Sequence, residues 1–277
     1  MSGADPYVHC EAALREGDRD RWLACLFAPD AARPHLHALY AFNLEISRIR
    51  QHVTQALLGE MRLQFWSDAI GGEGRGDIRA NPTVDALLRT IEACALPKEA
   101  FADLLEARRF DLYDDPTPDL ESLLTYCDLT CGALFRLAGQ ILAGAAAQGA
   151  AAAPAGRAYA IAGLLRAFPF AVRDGRCILP QDILQQRGLT HADVLARRDS
   201  PALRALLADM RALARENLAA ARVALAATPR IERAAYPLAA LPKLYLREME
   251  RGDYDPFASL IDPAQWRRQW ALWRFSV

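Results

Sequence analysis

The chain has 277 residues, of which 52% are hydrophobic, and its 33 basic and 34 acidic residues leave a formal net charge of −1. A chain of this length buries one large core and is near the upper size for one, so we expect a single domain spanning residues 1–277. The balanced charge provides no field that attracts nucleic acid, and we expect no nucleic-acid partner.

The N-terminal run MSGADPYVHC carries an early acid and lacks the apolar segment of a secretory signal. The six cysteines do not follow the spacing of a secreted disulfide scaffold, which favours a reducing compartment. We therefore expect a soluble protein that is not exported.

Apolar residues recur at helical spacing along almost the whole chain, beginning with Leu36, Leu39, Phe42, Ile46, Ile49 and Val53. Prolines stand where such runs begin, a position at which a helix tolerates them, at Pro34, Pro82, Pro97, Pro201 and Pro263. Residues 71–81 (GGEGRGDIRAN) predict a loop, and the Ala/Gly-rich residues 144–156 predict an exposed connection between helices. The sequence therefore predicts an all-α fold.

Two segments, residues 36–51 (LHALYAFNLEISRIRQ) and 160–184 (AIAGLLRAFPFAVRDGRCILPQDIL), resemble the signature helices of the squalene/phytoene synthase family. Residues 106–112 (EARRFDL) and 126–134 (YCDLTCGAL) resemble its middle helices, so the resemblance covers most of the chain. It implies a single-domain, isoprenoid-synthase-like helical bundle around a central cavity. In that family, each signature helix presents a DxxxD pair of aspartates to the cavity.

The run RCILPQD, residues 176–182, resembles the family's most specific motif and sets the register of the second helix. Counted back from this run, the second aspartate pair falls on Ala167 and Ala171. Counted forward from LYAF, residues 39–42, the first pair falls on Ser47 and Gln51. We call these four the vacated positions. Release of a diphosphate needs Mg²⁺ held by carboxylates, which these side chains lack. We therefore expect no catalytic residue, no metal site and no cofactor. Mg²⁺ would be required only under the alternative function, a prenyltransferase that condenses isoprenyl diphosphates.

The residues near the vacated positions predict a cavity that persists with less charge. Pro169 predicts a kink or an early end in the second helix. The candidate cavity residues are Tyr40, Asn43, Arg166, Phe170 and Arg176. The resemblance places Arg166 and Arg176 where family arginines stand, which suits them to hold a phosphate, and ion pairs at the surface or core edge are the alternative.

Other acids in the middle of the chain leave a rearranged metal site open as an alternative. These acids are Asp111, Asp114, Asp115, Asp128, Asp174 and Asp182. Helix caps, turns and solvated charges are the other roles that such residues commonly take.

Within the family, residues 59–66 (GEMRLQFW) and 41–45 (AFNLE) most resemble the non-catalytic branch of complex I assembly factors. This resemblance implies a role in the assembly of respiratory complex I, with a complex I subunit or assembly intermediate as partner. An isoprenoid lipid is a second candidate occupant of the former active-site cavity. We expect the protein in the cytoplasm, at the inner membrane surface, or in the mitochondrial matrix if the source is eukaryotic.

The C-terminal run PAQWRRQWALWRF places Trp266, Trp270 and Trp273 on one face of a predicted helix, beside Arg267 and Arg268. Tryptophan flanked by arginine is typical of a peripheral contact with a membrane, or of docking on a membrane-protein partner. Closure of the core by the three tryptophans is the alternative.

Overall fold

A computed structural model describes residues 5–74, 76–113 and 115–276, and in these ranges the chain is helical without a β-strand. The α-helices are α1 (Pro6–Gly17), α2 (Arg19–Cys25), α3 (Arg33–His52), α4 (Ala56–Gly71), α5 (Pro82–Cys94), α6 (Lys98–Arg109), α7 (Leu120–Cys127), α8 (Ala133–Ala143), α9 (Ala152–Arg173), α10 (Gln181–Gln186), α11 (His191–Leu195), α12 (Pro201–Ala227), α13 (Arg230–Arg233), α14 (Leu241–Glu248) and α15 (Gln265–Ser276). The predicted all-α fold is confirmed. Asp114, one of the candidate acids, lies outside the described residues.

Proline and side-chain caps define where helices begin. Pro82 occupies the first turn of α5, where its missing N–H costs little. The side-chain oxygen of Asn81 accepts hydrogen bonds from the backbone N–H groups of Thr83 and Val84, at 2.9 and 3.3 Å. Ser200 caps α12 in the same way. These contacts satisfy N–H groups that have no partner within the helix.

The two signature helices, α3 and α9, are held by different neighbours. Phe42 of α3 packs edge to face against Trp66 of α4 and Phe101 of α6, with ring centroids 4.9 and 5.7 Å apart. Helix α9 packs along α12 and also contacts α8 and α14. Both signature helices therefore lie in the core.

A π-helical segment, Asp128–Gly132, joins α7 to α8 and crosses the first turns of α9. A Cβ atom on Gly156 would lie 2.4 Å from both the Cα and the N atom of Gly132. Only glycine allows two backbones to approach this closely. The crossing fixes the segment that carries YCDLTCGAL against α9.

The Ala/Gly-rich residues 144–156 form a shorter connection than predicted, because α9 already begins at Ala152. The small side chains of its first turns are buried against the π-helical segment, which a bulkier sequence would prevent. The remaining connection is held by Glu232, which is fully buried. Its carboxylate accepts hydrogen bonds from the N–H groups of Gln148 and Gly149 at 2.8 and 2.9 Å.

Helix α9 continues through Pro169 and ends at Arg173, so the early end predicted at this proline is wrong. Proline removes one hydrogen bond from a helix interior, and the packing of α9 against α12, α8 and α14 offsets that loss.

One helical stretch, Leu120–Ala146, is long and apolar enough by length and composition to cross a membrane, and among the described residues it is the one such stretch. In this fold 44% of its most apolar window is buried, and core helices share the same length and composition.

Candidate functional site

The first pair of vacated positions, on α3, supplies no charged ligand. The hydroxyl of Ser47 donates to the carbonyl oxygen of Leu44 at 3.2 Å, within its own helix, and the side chain of Gln51 is exposed. Asn43, one turn earlier, is buried, and its Oδ1 atom has no hydrogen-bond partner among the described residues. Helix α3 therefore presents neutral polar groups where the resemblance implies carboxylates.

The second pair, on α9, leaves only methyl groups. Ala171 is buried and Ala167 is exposed. Between them in sequence, the Phe170 ring is 43% exposed. The guanidinium of Arg166 lies 4.8 Å from the ring centroid of Tyr245, a contact at the edge of the core. The structure does not bring Arg166 and Phe170 together in one cavity formed by the described residues, and their role in ligand binding stays a prediction.

The interior between α3 and α9 is filled at the level of Tyr40. The guanidinium of Arg21 lies over the rings of Tyr40 and Tyr159, 5.8 and 5.5 Å from their centroids, and it pairs with Asp18. The space that remains is about 10 Å³, room for at most one water molecule. Burial raises the pKa of Tyr159 to about 12, so this phenol stays protonated and neutral. The expected central cavity is closed here.

A larger pocket, of about 610 Å³, lies between the end of α6, the loop that follows it, α7 and α9. Its volume is in the range of sites for small organic ligands. Arg176 is the one predicted cavity residue that lines it. Phe110, Leu129 and Leu164 contribute apolar wall. We call this space the pocket.

A half-buried hydrogen-bonded cluster of three side chains supports one wall of the pocket. Nη1 of Arg108 donates to Oδ2 of Asp111 at 2.9 Å and to the Tyr126 hydroxyl at 2.7 Å. That hydroxyl donates to Oδ1 of Asp111 at 2.9 Å. Burial acts to lower the pKa of the Arg108 guanidinium, but Tyr126 and Asp111 outweigh it and raise that pKa above its ordinary value. The Asp111 carboxylate is thus committed to a permanent cation of the same chain.

Asp128, in the π-helical segment, is neutralised in the same way. Arg157 of α9 donates to both of its carboxylate oxygens, through Nε at 2.8 Å and Nη2 at 2.5 Å. A paired geometry of this kind is the strongest form of a carboxylate–guanidinium contact. Asp119, which lines the pocket, accepts the N–H of Ser122 at 2.7 Å and caps α7.

The residues present do not fit a magnesium ion. No group of three or more His, Cys, Asp or Glu side chains among the described residues is placed to hold a metal. Asp182 accepts the N–H of Ile183 and Asp174 pairs with Arg173 at the surface, while Asp115 lines the pocket. Mg²⁺ requires several oxygen ligands in near-octahedral geometry, which these separate carboxylates do not provide.

The polar group on the pocket wall was not predicted, although both segments that form it belong to the family resemblance. Arg108 and Asp111 stand three residues apart, which is a usable signal for an ion pair. Their contact with Tyr126 depends on the turn at Phe110–Leu112, which places Asp111 beside α7, 15 residues further along the chain.

The tryptophans of α15 face outward, with 65%, 54% and 46% of Trp266, Trp270 and Trp273 exposed. The alternative in which they close the core is therefore wrong. Leu272 is fully buried and takes that place, because it lies on the opposite side of the same helix. Arg268 also faces inward, with 19% of its side chain exposed.

Known proteins share the architecture of this chain. The squalene/phytoene synthase family profile matches residues 14–274. The chain is 26% identical over 254 residues to NADH dehydrogenase (ubiquinone) complex I, assembly factor 6 of Rattus norvegicus, covering 91% of this chain and 76% of the relative. A solved squalene synthase from Alicyclobacillus acidocaldarius is similar with a TM-score of 0.75 and 24% identity, covering 91% of this chain and 95% of the other.

A dehydrosqualene synthase solved in complex with a ligand has a TM-score of 0.79 at 17% identity, covering 98% of this chain and 95% of the other. At these identities the two solved structures establish the shared fold. Because the family profile spans nearly the whole sequence, this chain belongs to the squalene/phytoene synthase family.

Proposed function

We propose that this protein is a non-catalytic member of the squalene/phytoene synthase family that acts in the assembly of respiratory complex I. The similarity to the rat assembly factor extends over 91% of the chain and supports this role. A bacterial form would work in the cytoplasm at the inner membrane surface, and a eukaryotic form in the mitochondrial matrix.

The proposal that the protein is non-catalytic rests on the absence of carboxylates at the vacated positions and on the ion pairs that Asp111 and Asp128 form. Loss of a diphosphate from an isoprenyl carbon requires the developing negative charge to be neutralised where it forms. The four vacated positions supply no carboxylate to hold a metal for this purpose. Asp111 and Asp128 are candidates to replace the missing metal-binding aspartates, but they pair with Arg108 and Arg157 instead.

The pocket is the site at which we place the ligand of this role, either an isoprenoid chain or a segment of a complex I subunit or assembly intermediate. Leu129, Leu164 and Ile178 give it an apolar wall that suits either occupant. Arg176 offers a guanidinium for a phosphate or carboxylate at its edge.

The role is tested by deleting the gene in the source organism and measuring assembled complex I on native gels. We expect loss of the assembled complex and its recovery when the wild-type gene is returned. Normal complex I in the deletion strain would contradict the proposal.

The pocket is tested by Thr125→Trp, because Thr125 is an exposed residue of α7 that lines it and a bulky ring there narrows it without disturbing the core. Thr125→Ala is the matched control. We expect the alanine variant to restore complex I and the tryptophan variant to fail. Equal recovery by both would remove the pocket from the mechanism.

Catalysis is tested with the purified wild-type protein, farnesyl diphosphate and Mg²⁺. We expect no condensation product above background. Turnover that a chelator abolishes would establish the prenyltransferase alternative and overturn the non-catalytic assignment. Saturable binding of a prenyl compound without turnover would identify the isoprenoid, rather than a protein segment, as the occupant.

A further inference from the structure

Helix α15 exposes an aromatic ridge that the proposed function does not use. Trp266, Trp270 and Trp273 project within an arc of about 60° around the helix axis. The rings of Trp270 and Trp273 stack with centroids 4.8 Å apart, and the guanidinium of Arg267 lies 5.5 Å from the Trp266 ring centroid. The three indoles therefore form one apolar surface along the helix.

Contacts on the opposite side hold this ridge in place. Leu272 is fully buried beneath it, and Arg268 donates to Oδ2 of Asp20 in α2 at 3.1 Å. Arg267 reaches across to Glu248 of α14 at 3.1 Å. The outward direction of the indoles is thus set by packing and by two ion pairs that tie α15 to the fold.

Basic side chains border the ridge. Helix α15 contains three arginines and no acid. Lys243, Arg247 and Arg274 are exposed and, within the part of the chain that the structure describes, form no ion pair. A groove of about 360 Å³ between α14 and α15 is lined by Trp266, Trp270 and three arginines, Arg247, Arg251 and Arg267, and by one acid, Glu248, which pairs with Arg251 and Arg267. We call the ridge, its basic border and this groove the C-terminal face.

We propose that the C-terminal face docks on the surface of an anionic phospholipid bilayer, with the indoles at the level of the headgroups and a lipid phosphate in the groove. Indole rings concentrate at membrane–water interfaces, where one end is apolar and the other is wet. Guanidinium groups bind phosphate oxygens in pairs. The border of the ridge carries a surplus of positive charge, which favours an extended anionic surface over a protein with charges of both signs.

The test mixes the full-length protein with vesicles of phosphatidylcholine alone or with an equal part of phosphatidylglycerol, and measures partitioning by co-sedimentation. We expect binding to the anionic vesicles, a blue shift of tryptophan emission, and weakening as salt is added. Trp270→Ala with Trp273→Ala lowers the partition coefficient at least about tenfold. Arg247→Gln with Arg274→Gln lowers it about fivefold for each arginine.

Matched controls change the same chemistry elsewhere on the surface. Arg62→Gln with Arg222→Gln removes the same charge from exposed positions on α4 and α12, and Leu57→Ala with Val223→Ala removes exposed apolar side chains. We expect both controls to bind vesicles as the wild type does. Circular dichroism establishes that every variant is folded.

The proposal is overturned if the tryptophan variant binds anionic vesicles as tightly as the wild type, or if the charge control loses as much binding as the arginine variant. A wild-type dimer in analytical ultracentrifugation that the tryptophan variant lacks would assign the face to a second copy and also overturn it. Vesicle binding is measured on the purified protein, so its failure leaves the assembly role to its own test.

Discussion

The arginines around the pocket and those of the C-terminal face contact different partners. Arg108 and Arg157 each hold an aspartate of the family's middle helices: Asp111, which lines the pocket, and Asp128 of the π-helical segment. On the C-terminal face, Arg251 and Arg267 share Glu248, whereas the exposed Arg247 and Arg274 have no acid partner among the described residues.

Arginines that pair with an acid of the same chain stabilise the fold, whereas exposed arginines without such a partner are available to a ligand. A buried ion pair is costly to break, because the remaining group keeps its charge without water or a partner. An exposed arginine costs the fold little when it is removed. We therefore expect substitutions around the pocket to act on stability, and substitutions on the C-terminal face to act on binding.

The backbones of α9 and the π-helical segment cross at Gly156 and Gly132, and Gly156→Ala has the largest expected effect. The added Cβ meets backbone atoms that have no room to move, so we expect the free energy of unfolding to fall by about 3 kcal/mol. Gly163→Ala, in the same helix with no atom within 4 Å of its Cβ, raises it by about 0.5 kcal/mol. Urea denaturation followed by circular dichroism compares them. Similar values for both would show that the crossing is loose.

The half-buried Arg108–Asp111 pair is tested by Asp111→Asn. The change leaves the Arg108 guanidinium, whose side chain is 13% exposed, without the carboxylate of Asp111, whose side chain is 29% exposed. We expect a loss of about 2 kcal/mol in the free energy of unfolding. Glu106→Gln is the control, because Glu106 pairs with Arg109 on the surface at 3.0 Å and its loss costs less than about 0.5 kcal/mol. Equal costs would remove the distinction between buried and exposed pairs.

Asp85 of α5 is a buried carboxylate that pairs with two half-exposed arginines, Arg79 and Arg89. Burial would raise the pKa of its carboxyl, but hydrogen bonds from Arg89 and Arg79 outweigh this and hold the pKa below its ordinary value. The unfolded chain then binds a proton more readily than the folded one, so stability from Asp85 is present above pH ~4 and is lost at lower pH. We expect Asp85→Asn to remove up to about 0.6 kcal/mol of the stability difference between pH 6 and pH 3.5. Identical pH profiles for wild type and variant would contradict this.

Much of the fold could be predicted from the sequence, because helical periodicity and prolines at helix starts are local signals. The register set by residues 176–182 gives Ala167 and Ala171 as the second pair of vacated positions, and the run at residues 39–42 gives Ser47 and Gln51 as the first. Both assignments stay predictions. The pocket could not be predicted from the sequence, since it depends on a π-helical segment and on a turn after α6 that no local pattern specifies. The length of residues 144–156 as a connection was overestimated, because Ala and Gly suit both a loop and a tight helix crossing.

The direction of α15 was also undecided by sequence, because apolar residues occur on both of its sides and periodicity does not say which side is buried. Leu272 is buried, and the wider ridge of indoles is exposed. Leu272 packs into the core, and Arg268 on the same side of the helix pairs with Asp20. The outcome therefore rests on long-range contacts with α2 and α14.

The smallest expected effect on stability belongs to the double change Trp270→Ala with Trp273→Ala. Both rings stack on each other at the surface rather than on the core, so the free energy of unfolding should change by less than about 1 kcal/mol. Leu272→Ala, one position before Trp273, empties a buried site and should cost about 3 kcal/mol. Thermal and urea unfolding measure both. A cost for the tryptophan variant as large as that of Leu272→Ala would mean that the indoles hold α15 in place. The C-terminal face would then belong with the pocket as a structural region, since side chains that stabilise the helix are not available to a membrane.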